Sequence, residues 1–203
     1  MGGRSAALSI CLVSGHDGNY PHAMTSENPK PEETPFAVQT FTAEYDPAED
    51  RIRLNVQSAD GDQQSIMMTR RVLDRVIPIV GQHLEAKTPR GVPPDVVQAM
   101  NQQKVRQARR EDAPPKPVKL QADVPRWLCK TVQVQRGDNG MALTFSDDAD
   151  ASARLTLANA NLHAALDILR ATYAKAAWGR DKFPHWLEDE AQVAAEPRKN
   201  KLN

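Results

Sequence analysis

The chain reads as an α+β protein of two β-β-β-α units, the product of an internal duplication arranged with approximate two-fold pseudo-symmetry. Three observations predict this class. Stretches that alternate apolar and polar residues give way twice to a helical period. Residues 52–80 and 141–169 align at an offset of 89 with no gap. Proline-rich, aperiodic sequence stands before each unit. In the alignment Ile52 meets Met141, Leu54 meets Leu143 and Val56 meets Phe145; Ile66 meets Leu155, Met68 meets Leu157, Leu73 meets Leu162, Ile77 meets Leu166 and Val80 meets Leu169. Two unrelated units sharing only apolar spacing would need a gap at one of the turns. A unit of about 50 residues buries little surface alone, so the pair is expected to share one core.

Taken in order, residues 1–35 are expected to be a disordered leader. The run "SAALSICLV" is a short apolar stretch without a small-x-small cleavage site, and Met24 is an alternative start. In the first unit, residues 36–85, Phe36 and Val38 share one parity and Phe41, Ala43 and Tyr45 the other, which predicts a bulge near Thr40. "DPAED" is a turn. Ile52, Leu54 and Val56 alternate as a strand, and residues 65–69 form a third. Thr69 then caps a helix with the stripe Val72, Leu73, Val76, Ile77 and Val80, which Pro78 should kink or shorten. The second unit lies within residues 127–187. Val132 and Val134, then Met141, Leu143 and Phe145, then Leu155 and Leu157 give its strands, with "RGDNG" as a hairpin turn. Asn159 is the expected cap of a helix carrying Leu162, Ala165, Leu166, Leu169 and Tyr173. Residues 183–187 should dock back onto this unit, and residues 188–203 should be a disordered tail.

Residues 86–126 separate the units as a proline-rich, basic linker with one helix that starts at Pro93, Pro94 and Asp95. Its weak apolar stripe is Val96, Val97 and Met100, so the linker is expected to be a mobile tether that adds little to the core. Nine Lys or Arg (87, 90, 104, 106, 109, 110, 116, 119, 126) face four Asp or Glu (95, 111, 112, 123), a local net charge of +5 in a chain of net charge zero.

That neutrality, with 5% aromatic residues, argues against a base-stacking nucleic-acid fold. Cys11 and Cys129 have neither CxxC spacing nor a nearby histidine and are expected to be free thiols. No phosphate loop, dinucleotide fingerprint, zinc spacing or nucleophile elbow occurs. Asp147, Asp148 and Asp150 lack the glycine and distal glutamate of a calcium loop, so a solvated loop is expected. His163 and Asp167, four apart on a helix, could form a base with its orienting carboxylate, but no nucleophile accompanies them. Glu44, Asp46, Glu49 and Asp50 share a hairpin with Arg51 and Arg53, which neutralise them. No catalytic residue, metal ligand or cofactor is assigned.

Arg70 and Arg71 open the first helix, where the dipole disfavours cations, while the second unit has Asn159 and Ala160 there. They are assigned to partner binding, the alternative being a bridge to Asp74. The run "YDPAEDRIRL", followed after a turn by "MTRR", resembles a group of uncharacterised bacterial proteins with an E-D-R-I-R-L strand and a T-R-R helix opening. The resemblance covers residues 41–80 and implies a bacterial origin, with no activity attached. The resulting expectation is a cytoplasmic, non-enzymatic interaction or scaffold protein that binds another protein and no membrane. The first rival is a nucleic-acid-binding module using Lys104, Arg106, Arg109 and Arg110. The second is an enzyme whose site assembles in a polar pocket between the units.

Overall fold

A computed structural model describes residues 8–11, 34–112 and 116–187. The elements are β1 (Leu8–Cys11), β2 (Phe36–Val38), β3 (Thr40–Asp46), β4 (Arg51–Gln57), β5 (Gln63–Met68), α1 (Arg70–Ala86), α2 (Pro94–Glu111), β6 (Arg126–Leu128), β7 (Thr131–Arg136), β8 (Gly140–Ser146), β9 (Ser152–Ala158), α3 (Asn159–Lys175) and a 3-10 turn at His185–Leu187. The fold is α+β, with a five-stranded sheet ordered β1-β3-β4-β5-β6 and a four-stranded sheet ordered β2-β9-β8-β7.

Each β-meander keeps to its own sheet, but the short strand before it does not. β2 pairs parallel with β9 of the second unit, Ala37 opposite Arg154. β6 pairs parallel with β5 of the first, Arg126 opposite Ser65. Ala37 to Arg126 and Ser65 to Arg154 are both steps of 89 residues, so the two exchanged pairings share one register. Inside the units Ile52 faces Met68 and Met141 faces Leu157, again at that step.

The bulge expected near Thr40 is where the chain changes sheet. Thr40 faces Gln57, and Gln57 O also accepts from Gln39 N at 2.8 Å, so two residues oppose one. The second unit does the same with Lys130 and Thr131 against Ser146. A bulge turns a strand sharply, which suits a corner between packed sheets.

One hydrophobic cluster runs through both sheets and all three helices. α3 packs on β3 of the first sheet and on β8 and β9 of the second, while α1 reaches β7. Thr69 caps α1 as expected, its Oγ1 accepting from Val72 N at 3.3 Å. α1 continues past Pro78 to Ala86, because Leu84 at 2% exposure still buries that last turn.

Four expectations need correction. Residues 1–35 are not uniformly without structure, since Leu8–Cys11 adds antiparallel to the outer edge of β3, with Ile10 opposite Phe41; the rest of that leader before Thr34, and the tail from 188, lie outside the described residues. Asn159 is the first residue of α3 and not its cap; its Oδ1 stands 3.2 Å from His83 Nε2 on α1, joining the two units. The 3-10 turn docks on both units, since Trp186 Nε1 donates to Glu85 Oε1 at 2.9 Å and Pro184 lies against Gly81, where a Cβ would meet its Cγ at 2.5 Å. Finally, the linker is packed against both halves. Val118 is 7% exposed, and its N–H donates at 2.9 Å to Thr42 Oγ1 on the outer face of the first sheet. Gln63 holds the same stretch through Lys119 O at 3.1 Å and Gln121 N at 3.0 Å.

Between the sheets lies a cavity of about 40 Å³ lined only by apolar side chains, among them Phe41, Leu54, Val80, Leu143, Phe145 and Leu166. Polar groups that could assemble a site between the units are missing from its wall. A void of this size holds one added methyl group. Val80→Ile should therefore stabilise the protein by roughly 0.5–1 kcal/mol, read as a higher urea midpoint with unchanged m-value.

Candidate functional site

α2 inverts the expected burial at four positions, although Ala99 and Val105 still pack on the core. Gln98 and Gln102 point inward at 3% and 1% exposure, while Val96 and Met100 lie outward at 50% and 54%. Hydrogen bonding to specific partners explains the inversion. Gln98 Nε2 donates to Leu84 O and to Thr88 Oγ1, both at 2.9 Å, which aims its Oε1 at His163 Nε2, 3.1 Å away. That ring nitrogen must then carry the proton. Gln102 Oε1 stands 3.0 Å from Nδ1, an arrangement that leaves its buried Nε2 without a partner. Turning the Gln102 amide by 180° lets Nε2 donate to the unprotonated Nδ1 and resolves the conflict. His163 is thus a neutral Nε2–H imidazole held between two amides, with the Trp186 ring 5.2 Å away. Burial pushes its pKa down from 6.5 to about 4.

The basic half of α2 is anchored by charge. Arg106 donates to Asp167 Oδ1 through Nε at 3.1 Å and Nη2 at 2.8 Å, and Nη2 also reaches Leu187 O at 3.4 Å. Arg109 lies 3.7 Å from the other Asp167 oxygen. The structure therefore splits the four linker cations assigned to anion or nucleic-acid contact. Arg106 and Arg109 hold the helix down, whereas Lys104 and Arg110 are exposed and free of ion pairs among the described residues. His163 and Asp167 are four residues apart yet serve separate contacts, so they do not form a base and its orienter.

Arg70 and Arg71 are likewise divided. Arg70 Nε pairs with Asp74 Oδ2 at 3.3 Å, the alternative named for it above. Asp74 in turn accepts from the buried Tyr173 hydroxyl at 3.0 Å, whose pKa is raised first by burial and then by this bond. Trp178 and Phe183 meet the Tyr173 ring edge-on, with centroids at 5.1 Å. Arg71 is exposed and makes no ion pair among the described residues.

The carboxylates of the remaining clusters are tied into local contacts, although the buried Arg53 Nε has no hydrogen-bond partner among the described residues. Asp50, at φ 49°, accepts from Tyr45 Oη at 2.8 Å and Trp178 Nε1 at 2.9 Å. Glu49 bonds Arg51 and Arg126. Asp147 caps its own loop through Ala149 N and Ala151 N, and Asp148 pairs with Lys130. Among the described residues no three His, Cys, Asp or Glu side chains gather closely enough to hold a metal ion. Cys129 is a buried free thiol with its pKa pushed up by burial to about 11.

What remains open is the outer face of α2. Val92 (43%), Val96 and Met100 are the exposed large hydrophobic residues of the described chain; Val96 and Met100 lie there and Val92 two residues before the helix begins. Exposed Arg90, Lys104 and Arg110 flank them, with Asp95 as the acid of the first turn. No family model, no curated protein and no solved structure matches this chain. No described helix is long and apolar enough to cross a membrane.

Two outcomes follow from these contacts. Between pH 6.5 and about 4 the unfolded chain binds a proton at His163 that the folded chain excludes. Stability is therefore fully present above that window and falls as pH drops through it. The loss is about 3 kcal/mol, measurable as a falling urea midpoint, and His163→Leu should flatten that part of the profile. Separately, Asp74→Ala should cost about 1–3 kcal/mol, because it leaves a buried Tyr173 hydroxyl unpaired. Arg70→Ala should cost under about 1 kcal/mol, because the Arg70 side chain is half exposed. Thermal melts of the two variants compare them.

Proposed function

We propose that this chain is a non-enzymatic protein-interaction module that holds an acidic, amphipathic segment of a partner protein on the outward face of α2. The observation that carries this reading is the exposure of Val96 and Met100 on α2, with Val92 exposed just before it, while the inward Gln98 and Gln102 of that helix are hydrogen-bonded. By hydropathy alone such a helix would bury Val96 and Met100 rather than Gln98 and Gln102, although Ala99 and Val105 already pack inward. This one is fixed the other way at the cost of apolar exposure, and contiguous exposed apolar surface marks interaction sites. Arg90, Lys104 and Arg110 supply a cationic rim, which favours an acidic partner and governs its rate of encounter. We assign a cytoplasmic setting, in keeping with the free Cys129. We also read the shared step of 89 residues as the trace of internal duplication.

The nucleic-acid reading is weakened because Arg106 and Arg109 are spent on Asp167. The enzymatic reading gains no support from a wholly apolar cavity. A photo-crosslinking residue at position 96 or 100 should yield discrete protein adducts in cells, and one at Thr156 on the second sheet should not. Lys104→Glu with Arg110→Glu should lower that yield about tenfold. Equal labelling from all three positions would sink the proposal. Adducts to nucleic acid would move it to the first rival.

A further inference from the structure

β7 is a sheet edge of six residues, whereas the other three edges are closed by strands of three or four residues, β2, β6 and β1. Short edge strands and charged or proline-bearing edges are how folded chains avoid pairing with one another. β7, "TVQVQR", has no proline, and its two inward residues, Val132 and Val134, are apolar and half-buried. Its counterpart in the first sheet is β3, since Phe41 faces Val56 and Val132 faces Phe145, 89 residues beyond Val56. On β3 the same edge is occupied, by β1 running antiparallel. On β7, among the described residues, only β8 is paired.

The direction of the free groups can be read from the ladder. Gly137 N bonds Gly140 O across the hairpin, and N–H groups two residues apart share a side. Thr131, Gln133 and Gln135 therefore turn their N–H groups to β8, while Val132, Val134 and Arg136 turn theirs outward.

We propose that β7 joins β7 of a second copy of this chain, antiparallel and centred on Gln133, to make one eight-stranded sheet. The strand is self-complementary in that register. Val132 bonds to Val134 of the second copy and the reverse, with apolar side chains meeting on the inner face. Thr131 faces Gln135, and Gln133 faces itself on the exposed outer face. Arg136 comes opposite Lys130, which is already paired with Asp148, and Asp148 is 70% exposed and can take both cations. No acid lies on the outer face of β7, β8 or β9, where Arg154 bonds Gln135 at 2.6 Å. A six-residue ladder covers less than the roughly 1,200 Å² of a stable complex, so the association depends on concentration.

Gln133 on the symmetry axis makes the test decisive, because its side chain is exposed and the fold does not need it. Wild-type protein should show reversible dimerisation in sedimentation equilibrium. Gln133→Glu and Gln133→Lys should each lower the association constant about tenfold or more by placing like charges together, and mixing the two should restore it as a heterodimer. In a Cys11→Ser background, Gln133→Cys should oxidise readily to a disulfide dimer, because facing positions lie about 4.5–5.5 Å apart. Thr131→Cys alone should not. A wild-type monomer at all concentrations, or a mixture no tighter than its components, overturns the proposal. So does crosslinking that is equal at positions 131 and 133.

Discussion

Two three-residue strands, β2 and β6, are each given by one half of the chain to the other half's sheet. Because each is joined through a bulge to the meander that follows it, β3 and β7 are tied to the opposite sheet at their starting ends. That holds the two sheets and their helices around one shared core. α3 can then bridge both sheets, and Asn159 can meet His83 across the units. A half-chain would leave one edge unpaired and one apolar face uncovered, which a unit of about 50 residues cannot offset.

The linker gains its role from the same arrangement. With the units interlocked, the space between α1 and α3 is fixed, and α2 closes it through Gln98, Gln102 and Arg106. These bonds have directions, so they set the rotation of the helix as well as its position. Apolar burial alone would not, since a stripe of valine and methionine tolerates many orientations. The outward stripe is therefore held still, and a partner docking on it orders little beyond its own side chains.

Much of the fold was legible because hydrophobic period is local. The strands around Ile52, Met141 and Leu155 and the Thr69 cap all follow from short windows. β6 was not legible, since three residues after Pro125 carry no period. The candidate site was misread for a more instructive reason. Val96 and Met100 are four residues apart, as are Gln98 and Gln102, and hydropathy chooses the first pair as the buried one. The second pair wins because its acceptor and donor, His163, waits 65 and 61 residues further along the chain. A trace of this was present: polar pairs at the same spacing on two helices, Gln98 with Gln102 and His163 with Asp167. For Arg70 the weighing of alternatives already contained the outcome, because Asp74 is one turn away.

The exchanged strands also bear on how the chain comes to be folded during synthesis. β6 reaches the first sheet only when residues 126–128 have been made, and β2, at residues 36–38, has no partner until β9 at residues 153–155 appears. The β5 edge of the first half must therefore stay open from Met68 until Arg126, and β2 must stay unpaired from Val38 until Ala153. Closure of both loops falls late and together, which raises contact order and slows the final step relative to a protein of two independent halves. The waiting half is the state most exposed to a chaperone or to mispairing with another nascent chain. Joining the halves in one polypeptide keeps each within reach of its intended neighbour throughout that interval.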